Sequence, residues 1–103
     1  MSQLNLTFVV DGGKTRTQIG LKKNVNKILF TNGALAGDLT VVFSPGGRIE
    51  KDGGGSLPGD TLTLLPGKSA FLKFKGNPGI GDKVNYTAQI VGANPEDPII
   101  IID

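Results

Sequence analysis

The sequence predicts an all-β domain, a sandwich or barrel of about seven or eight short strands. Three observations lead there. Apolar and polar residues alternate along most segments, the period of a half-buried strand. Glycine and proline, 16 and 6 of 103 residues, cut the chain into pieces too short for most helices. Those pieces recur every ~8–14 residues, as the strands of such folds do. The length suits one domain, spanning residues 1–103.

The elements follow in order. Leu4, Leu6, Phe8 and Val10 alternate with Asn5, Thr7 and Val9, a strand ended by the turn Asp11-Gly12-Gly13-Lys14. Arg16 to Leu21 reads as a short second strand. Asn24 to Thr31 is an apolar run closed by Asn32-Gly33. Within it Leu21, Val25, Ile28 and Leu29 have helical spacing. Gly20 and the asparagines argue for a strand instead, because no helix cap precedes the run and Asn24 and Asn26 are poor helix formers. Asp38 to Ser44 sets Leu39, Val41 and Phe43 on one face. A long loop is expected over residues 45–59, ending in a glycine-rich stretch. Strands then follow at Thr61 to Leu65, at Ser69 to Lys75 after the Pro66-Gly67 turn, and at Lys83 to Val91 after a loop at Gly76 to Gly81. Ile99 to Ile102 closes the chain. This last strand is apolar on both faces, so it is expected to be covered on both sides, by the 45–59 loop or by another subunit.

Composition removes much chemistry. The chain has no Cys, His or Trp, and Met1 is its only Met. No disulfide can form, no thiolate or imidazole can hold a metal, and no His base or Cys nucleophile is present. Phosphate-loop fragments occur at Gly13-Lys14-Thr15 and Gly67-Lys68-Ser69, but each lacks the first glycine and precedes a strand, so both read as turns. Glu50, Asp52 and Asp60 share the long loop, where a run of glycines is a poor scaffold for paired carboxylates. Tyr86 falls on the inward face of its strand. The expectation is a protein that is not an enzyme and needs no cofactor.

Charge is nearly balanced, eleven basic against nine acidic residues. The basic residues gather early (Lys14, Arg16, Lys22, Lys23, Lys27) and the last residues are acidic (Glu96, Asp97, Asp103). The weak excess and the few aromatics argue against nucleic acid. No apolar stretch is long enough to span a membrane. The N-terminus lacks the basic and apolar regions of a signal peptide, leaving a cytoplasmic protein or a processed periplasmic or secreted one.

Several segments together resemble the cupredoxins, Greek-key sandwiches of the plastocyanin and azurin type. Ile19 through Asn32 is similar to that family's second strand and following Asn. Asp38 to Phe43 is similar to the strand bearing the first copper His. Leu64-Leu65-Pro66-Gly67-Lys68-Ser69 is similar to its Leu-x-Pro-Gly-x-Ser/Thr turn, and Tyr86 to Ile90 to its Tyr-containing strand before the copper Cys. Asp97-Pro98-Ile99-Ile100 looks like the final strand of copper-less relatives. Immunoglobulin-like domains share the alternation and the turns. The resemblance implies a Greek-key sandwich, with the His position near Asp38 or Leu39 and the Cys position near Ile90. Val91 to Asp97 contains no Cys, His or Met, so every copper ligand is missing.

What remains is a binding or structural module acting by association with an unknown protein partner or with itself. The alternative is a carbohydrate or small-ligand domain using the loops at one end. The expected interaction surface comprises Arg48, Ile49, Glu50, Lys51 and Asp52 of the long loop with Ile99 and Ile101 of the last strand.

Overall fold

The computed structural model describes residues 2–19, 25–44, 49–52, 57–74, 83–96 and 99–101. Among them are nine strands: β1 (Ser2–Asp11), β2 (Lys14–Ile19), β3 (Val25–Asn32), β4 (Leu39–Ser44), β5 (Ile49–Lys51), β6 (Thr61–Leu64), β7 (Ser69–Phe74), β8 (Lys83–Ile90) and β9 (Ile99–Ile101). One turn of 3₁₀ helix, Pro58–Asp60, precedes β6. No helix among the described residues is long and apolar enough to cross a membrane.

The strands form two sheets. One has five strands in the order β2-β1-β3-β7-β5, the other four in the order β6-β4-β8-β9. β1 and β3 run parallel; every other strand pair is antiparallel. The all-β sandwich is as expected. Two local readings sharpen. The segment with helical spacing is a strand from Val25 onward, because it lies between β1 and β7 and hydrogen-bonds to both. Residues 45–59 are not one loop: Ile49–Lys51 pairs with β7 as β5.

Alternation explains the core. Phe8, Ile28, Phe30 and Leu72 project from one sheet, and Leu39, Val41, Val84 and Ile90 from the other; all are buried. At the centre Phe8 stacks on Phe30 at 6.0 Å, and Phe43 meets Phe30 edge-on at 5.6 Å. Tyr86 lies against Phe8, Phe30 and Phe43. These four rings join both sheets, and such pairs add about 0.5–1.5 kcal/mol each beyond area burial.

The outward faces differ in charge. On the five-stranded sheet Lys27 pairs with Asp52 at 3.2 Å and Lys73 with Glu50 at 3.6 Å. Lys27 also lies over the Phe71 ring at 5.2 Å. On the four-stranded sheet the outward side chains described on β4 and β6 are Thr, Val and Ser, and those on β8 are Asn, Thr and Gln.

Candidate interaction surface

The connections at one end of the sandwich are tied together by two buried polar residues. Asn32 ends β3 with its side chain fully buried. Its Nδ2 donates to the carbonyls of Gly37 at 2.9 Å and Leu64 at 3.0 Å, and its Oδ1 accepts from the Ala34 N–H at 3.0 Å. One amide therefore joins β3, the 33–38 connection and the end of β6. The backbone adds to it: Asn32 N–H donates to Lys68 O, Gly67 N–H to Asn32 O, and Gly33 N–H to Phe8 O.

Thr15 does the same on the other side. It is buried near the start of β2, and its Oγ1 accepts from the Ile90 N–H at 3.0 Å. Thr15 N–H donates to Asn94 O, and Asn94 N–H to Gly13 O, so the β1–β2 hairpin holds the segment after β8. Gln89 Nε2 donates to Ala93 O at 3.0 Å within that segment. No buried side-chain nitrogen or oxygen among the described residues lacks a partner. The cost of burying amide and hydroxyl is thereby offset, and the end is rigid.

This rigid end presents apolar side chains to solvent. Leu35 is fully exposed, Leu65 is 57% exposed and Val91 69%. Each sits on a different connection: 33–38, the turn after β6, and the turn after β8. Leu65 and Val91 follow from strand phase. Leu62 and Leu64 face inward, so Leu65 faces out; Ile90 is inward, so Val91 faces out. The Val91 N–H donates to Asp38 O at 3.0 Å, which joins two of the connections. Charge at this end is carried by Asp11, Lys14 and Lys68, all exposed, and by the half-buried Asp38 and Glu96. Among the described residues no group of three or more Asp and Glu is placed to hold a metal ion. The arrangement offers apolar contact with a charged rim.

The residues expected from sequence lie elsewhere and apart. Arg48 falls outside the described residues, as do residues 53–56 and 76–81 of the two glycine-rich loops. Ile49 is not a surface residue. It is 3% exposed, because β5 pairs it with Phe74 at an inward position and turns it into the core. Glu50 and Asp52 are held in the ion pairs with Lys73 and Lys27, and Lys51 is exposed. Ile99 and Ile101 stand opposite Asn85 and Lys83 on β9. β5 edges one sheet and β9 the other, so the two halves of the expected surface do not share a sheet. Sequence reading passed over Thr15 and the three apolar tips, and marked Asn32 only as the end of its strand. The phase of strand alternation carries the signal for Leu65 and Val91; nothing local marks Asn32 and Thr15, whose partners are far along the chain.

No protein-family model, curated protein or solved structure matches this chain.

Proposed function

We propose that the chain is a non-enzymatic module of cupredoxin-like topology, without a copper site, that acts by docking another protein on its loop end. The carrying observation is the set of exposed Leu35, Leu65 and Val91 on connections locked by Asn32 and Thr15. A rigid apolar tip loses little conformational freedom on binding and gains from removing apolar area from water.

The cupredoxin part of the reading draws support from position. The resemblance puts the family's His near Asp38 or Leu39 and its Cys near Ile90. Leu39 stands directly opposite Ile90, and both are buried. The two positions thus meet at the loop end, but Leu and Ile carry no donor atom for copper. The residues do not fit a blue-copper centre.

The test uses the intact chain as bait in an extract of its own source. A partner retained by the wild type and lost by the triple variant Leu35→Ser, Leu65→Ser, Val91→Ser, at unchanged Tm, supports the reading. Equal retention by both proteins sinks it.

A further inference from the structure

We infer that the outer edge of β2 is a strand-addition site for an extended acidic segment of a partner protein, laid parallel to β2. This inference does not depend on the loop-end reading; it rests on backbone groups and cations of another element.

β2 is an edge of the five-stranded sheet. The chain itself shows how that edge takes a strand. Asn94 lies beside Lys14 in a parallel bridge. Its N–H donates to Gly13 O at 2.9 Å, and its carbonyl accepts from the Thr15 N–H at 2.8 Å. The Thr15 N–H therefore points away from β1. Backbone groups alternate in direction along a strand, so Thr17 and Ile19, two and four residues on, turn theirs the same way. The chain does not follow the edge further. After Pro95 it crosses to β8, where Glu96 exchanges two hydrogen bonds with Ala88. Among the described residues nothing takes the carbonyl of Thr15, the N–H and carbonyl of Thr17, or the N–H of Ile19. Such a row is a template for another strand.

The charges select the occupant. Lys14 and Arg16 are exposed, and neither forms an ion pair among the described residues. They occupy alternate positions and so one face of β2. Asp11 stands opposite Lys14, but Arg16 stands opposite Val9, with no acid in register beside it. Two copies of β2 set edge to edge would bring these cations together, which disfavours self-pairing. An acidic strand gains where a second copy loses. The other edges offer less. β5 and β9 have three residues each and β6 four, and the acids at β5 already pair with Lys73 and Lys27.

The parallel register fixes the contacts. A guest residue opposite Arg16 donates to Thr15 O and accepts from the Thr17 N–H. One opposite Gln18 donates to Thr17 O and accepts from the Ile19 N–H. Opposite residues share a face, so an acid at the first position meets the Arg16 guanidinium. Four hydrogen bonds, each multiplying affinity about fivefold, set a Kd on the order of 1 mM for a short isolated peptide.

The probe is the capped peptide acetyl-Thr-Glu-Thr-Glu-Thr-amide, titrated to about 5 mM into the isotope-labelled full chain at low salt, with amide shifts read by NMR. Saturable shifts centred on Thr17 and Ile19 are expected. The counterpart with Lys for Glu should bind at least about fivefold more weakly. The peptide N-methylated at both glutamates lacks the N–H groups for Thr15 O and Thr17 O and should give no shifts. Arg16→Glu, at unchanged Tm, should reverse the preference between the two charged peptides. The Leu65→Ser, Val91→Ser protein should bind as the wild type does, so this inference and the loop-end reading fail separately. No saturable shift overturns the inference. So does equal affinity for acidic and basic peptides, or undiminished binding of the N-methylated one. Shifts centred on Leu35 and Val91 would move the contact to the loop end, and shifts at Thr17 that grow with protein concentration alone would assign the edge to a second copy; either overturns it equally.

Discussion

Asn32 is the residue on which the loop end depends most. Replacing it by Leu keeps the branched skeleton, with bulkier methyls, but strands the buried carbonyl of Leu64 and the part-buried Gly37 carbonyl and Ala34 N–H. Each unsatisfied buried group costs about 1–3 kcal/mol. Urea unfolding of Asn32→Leu is expected to show a loss of about 3 kcal/mol or more; a loss under about 1 kcal/mol would contradict the described network. Thr15→Val removes one acceptor at constant shape and is expected to cost about 1–3 kcal/mol by the same measurement. Gly37 adds a backbone constraint. Its φ is +92°, and a Cβ there would lie 2.9 Å from Val91 O, a backbone atom of the residue whose N–H is bonded to Asp38 O. At Gly67 φ is +76° but a Cβ would meet nothing within 4 Å. Alanine at either site must take a conformation that L-residues avoid; only at Gly37 does it also collide. Thermal melts should therefore rank Gly37→Ala clearly below Gly67→Ala, and the reverse order would show that the 33–38 connection yields. None of this was legible in the sequence, because polar residues such as Asn and Thr reveal their partners only after strands distant in the chain have met.

β5 illustrates how an element can escape a sequence reading. Three residues between glycine-rich stretches carry too few alternations to register as a strand. Their pairing is decided by Ile49, which finds the core beside Phe74, and is assisted by the Glu50–Lys73 ion pair. The two contributions differ in size. Ile49→Ala is expected to cost about 2–4 kcal/mol through lost burial and a cavity. Glu50→Gln, at a solvent-screened pair, is expected to cost under about 1 kcal/mol. Denaturation of the two variants checks this; equal losses would mean that the ion pair, not the core residue, holds β5. The longer strands were legible because alternation persists over several residues, as in Leu39, Val41, Phe43 and in Val84, Tyr86, Ala88, Ile90. β3 was ambiguous for a physical reason. Its apolar residues fit a helix as well as a strand, and what decides between them is the open edges of β1 and β7, supplied from both sides of it in the chain.

The whole molecule has one core joining both sheets, and this shapes how it unfolds. Tyr86 is the only tyrosine, and there is no tryptophan. Its ring touches three phenylalanines drawn from both sheets. Tyrosine fluorescence therefore reports the centre, while far-ultraviolet circular dichroism reports the strands. The two are expected to give coincident transitions, as for a two-state domain. A fluorescence change well ahead of the dichroism would mean that the sheets separate first. The fold class was readable from periodicity and turns alone. The location of the proposed interaction surface was not, because it depends on which connections the sheet order gathers at one end. The sheet order also determines which outward rows become neighbours, so the uncharged face is visible only once β6, β4 and β8 are aligned.

The position of Asn32 has one more consequence, for chemical ageing. Asn-Gly is the dipeptide most open to deamidation: the glycine nitrogen attacks the side-chain carbonyl carbon, ammonia leaves, and hydrolysis of the ring yields aspartate or isoaspartate. In the folded chain the Gly33 N–H is bonded to Phe8 O, and the Asn32 carboxamide is held by three hydrogen bonds, so neither reactant is free to turn toward the other. Only an unfolded molecule can react. The carboxylate it acquires has no N–H to return to Gly37 and Leu64, so the altered chain refolds less stably and opens more often. A molecule that stays open long enough for the ring to close thus keeps a covalent record of having come apart.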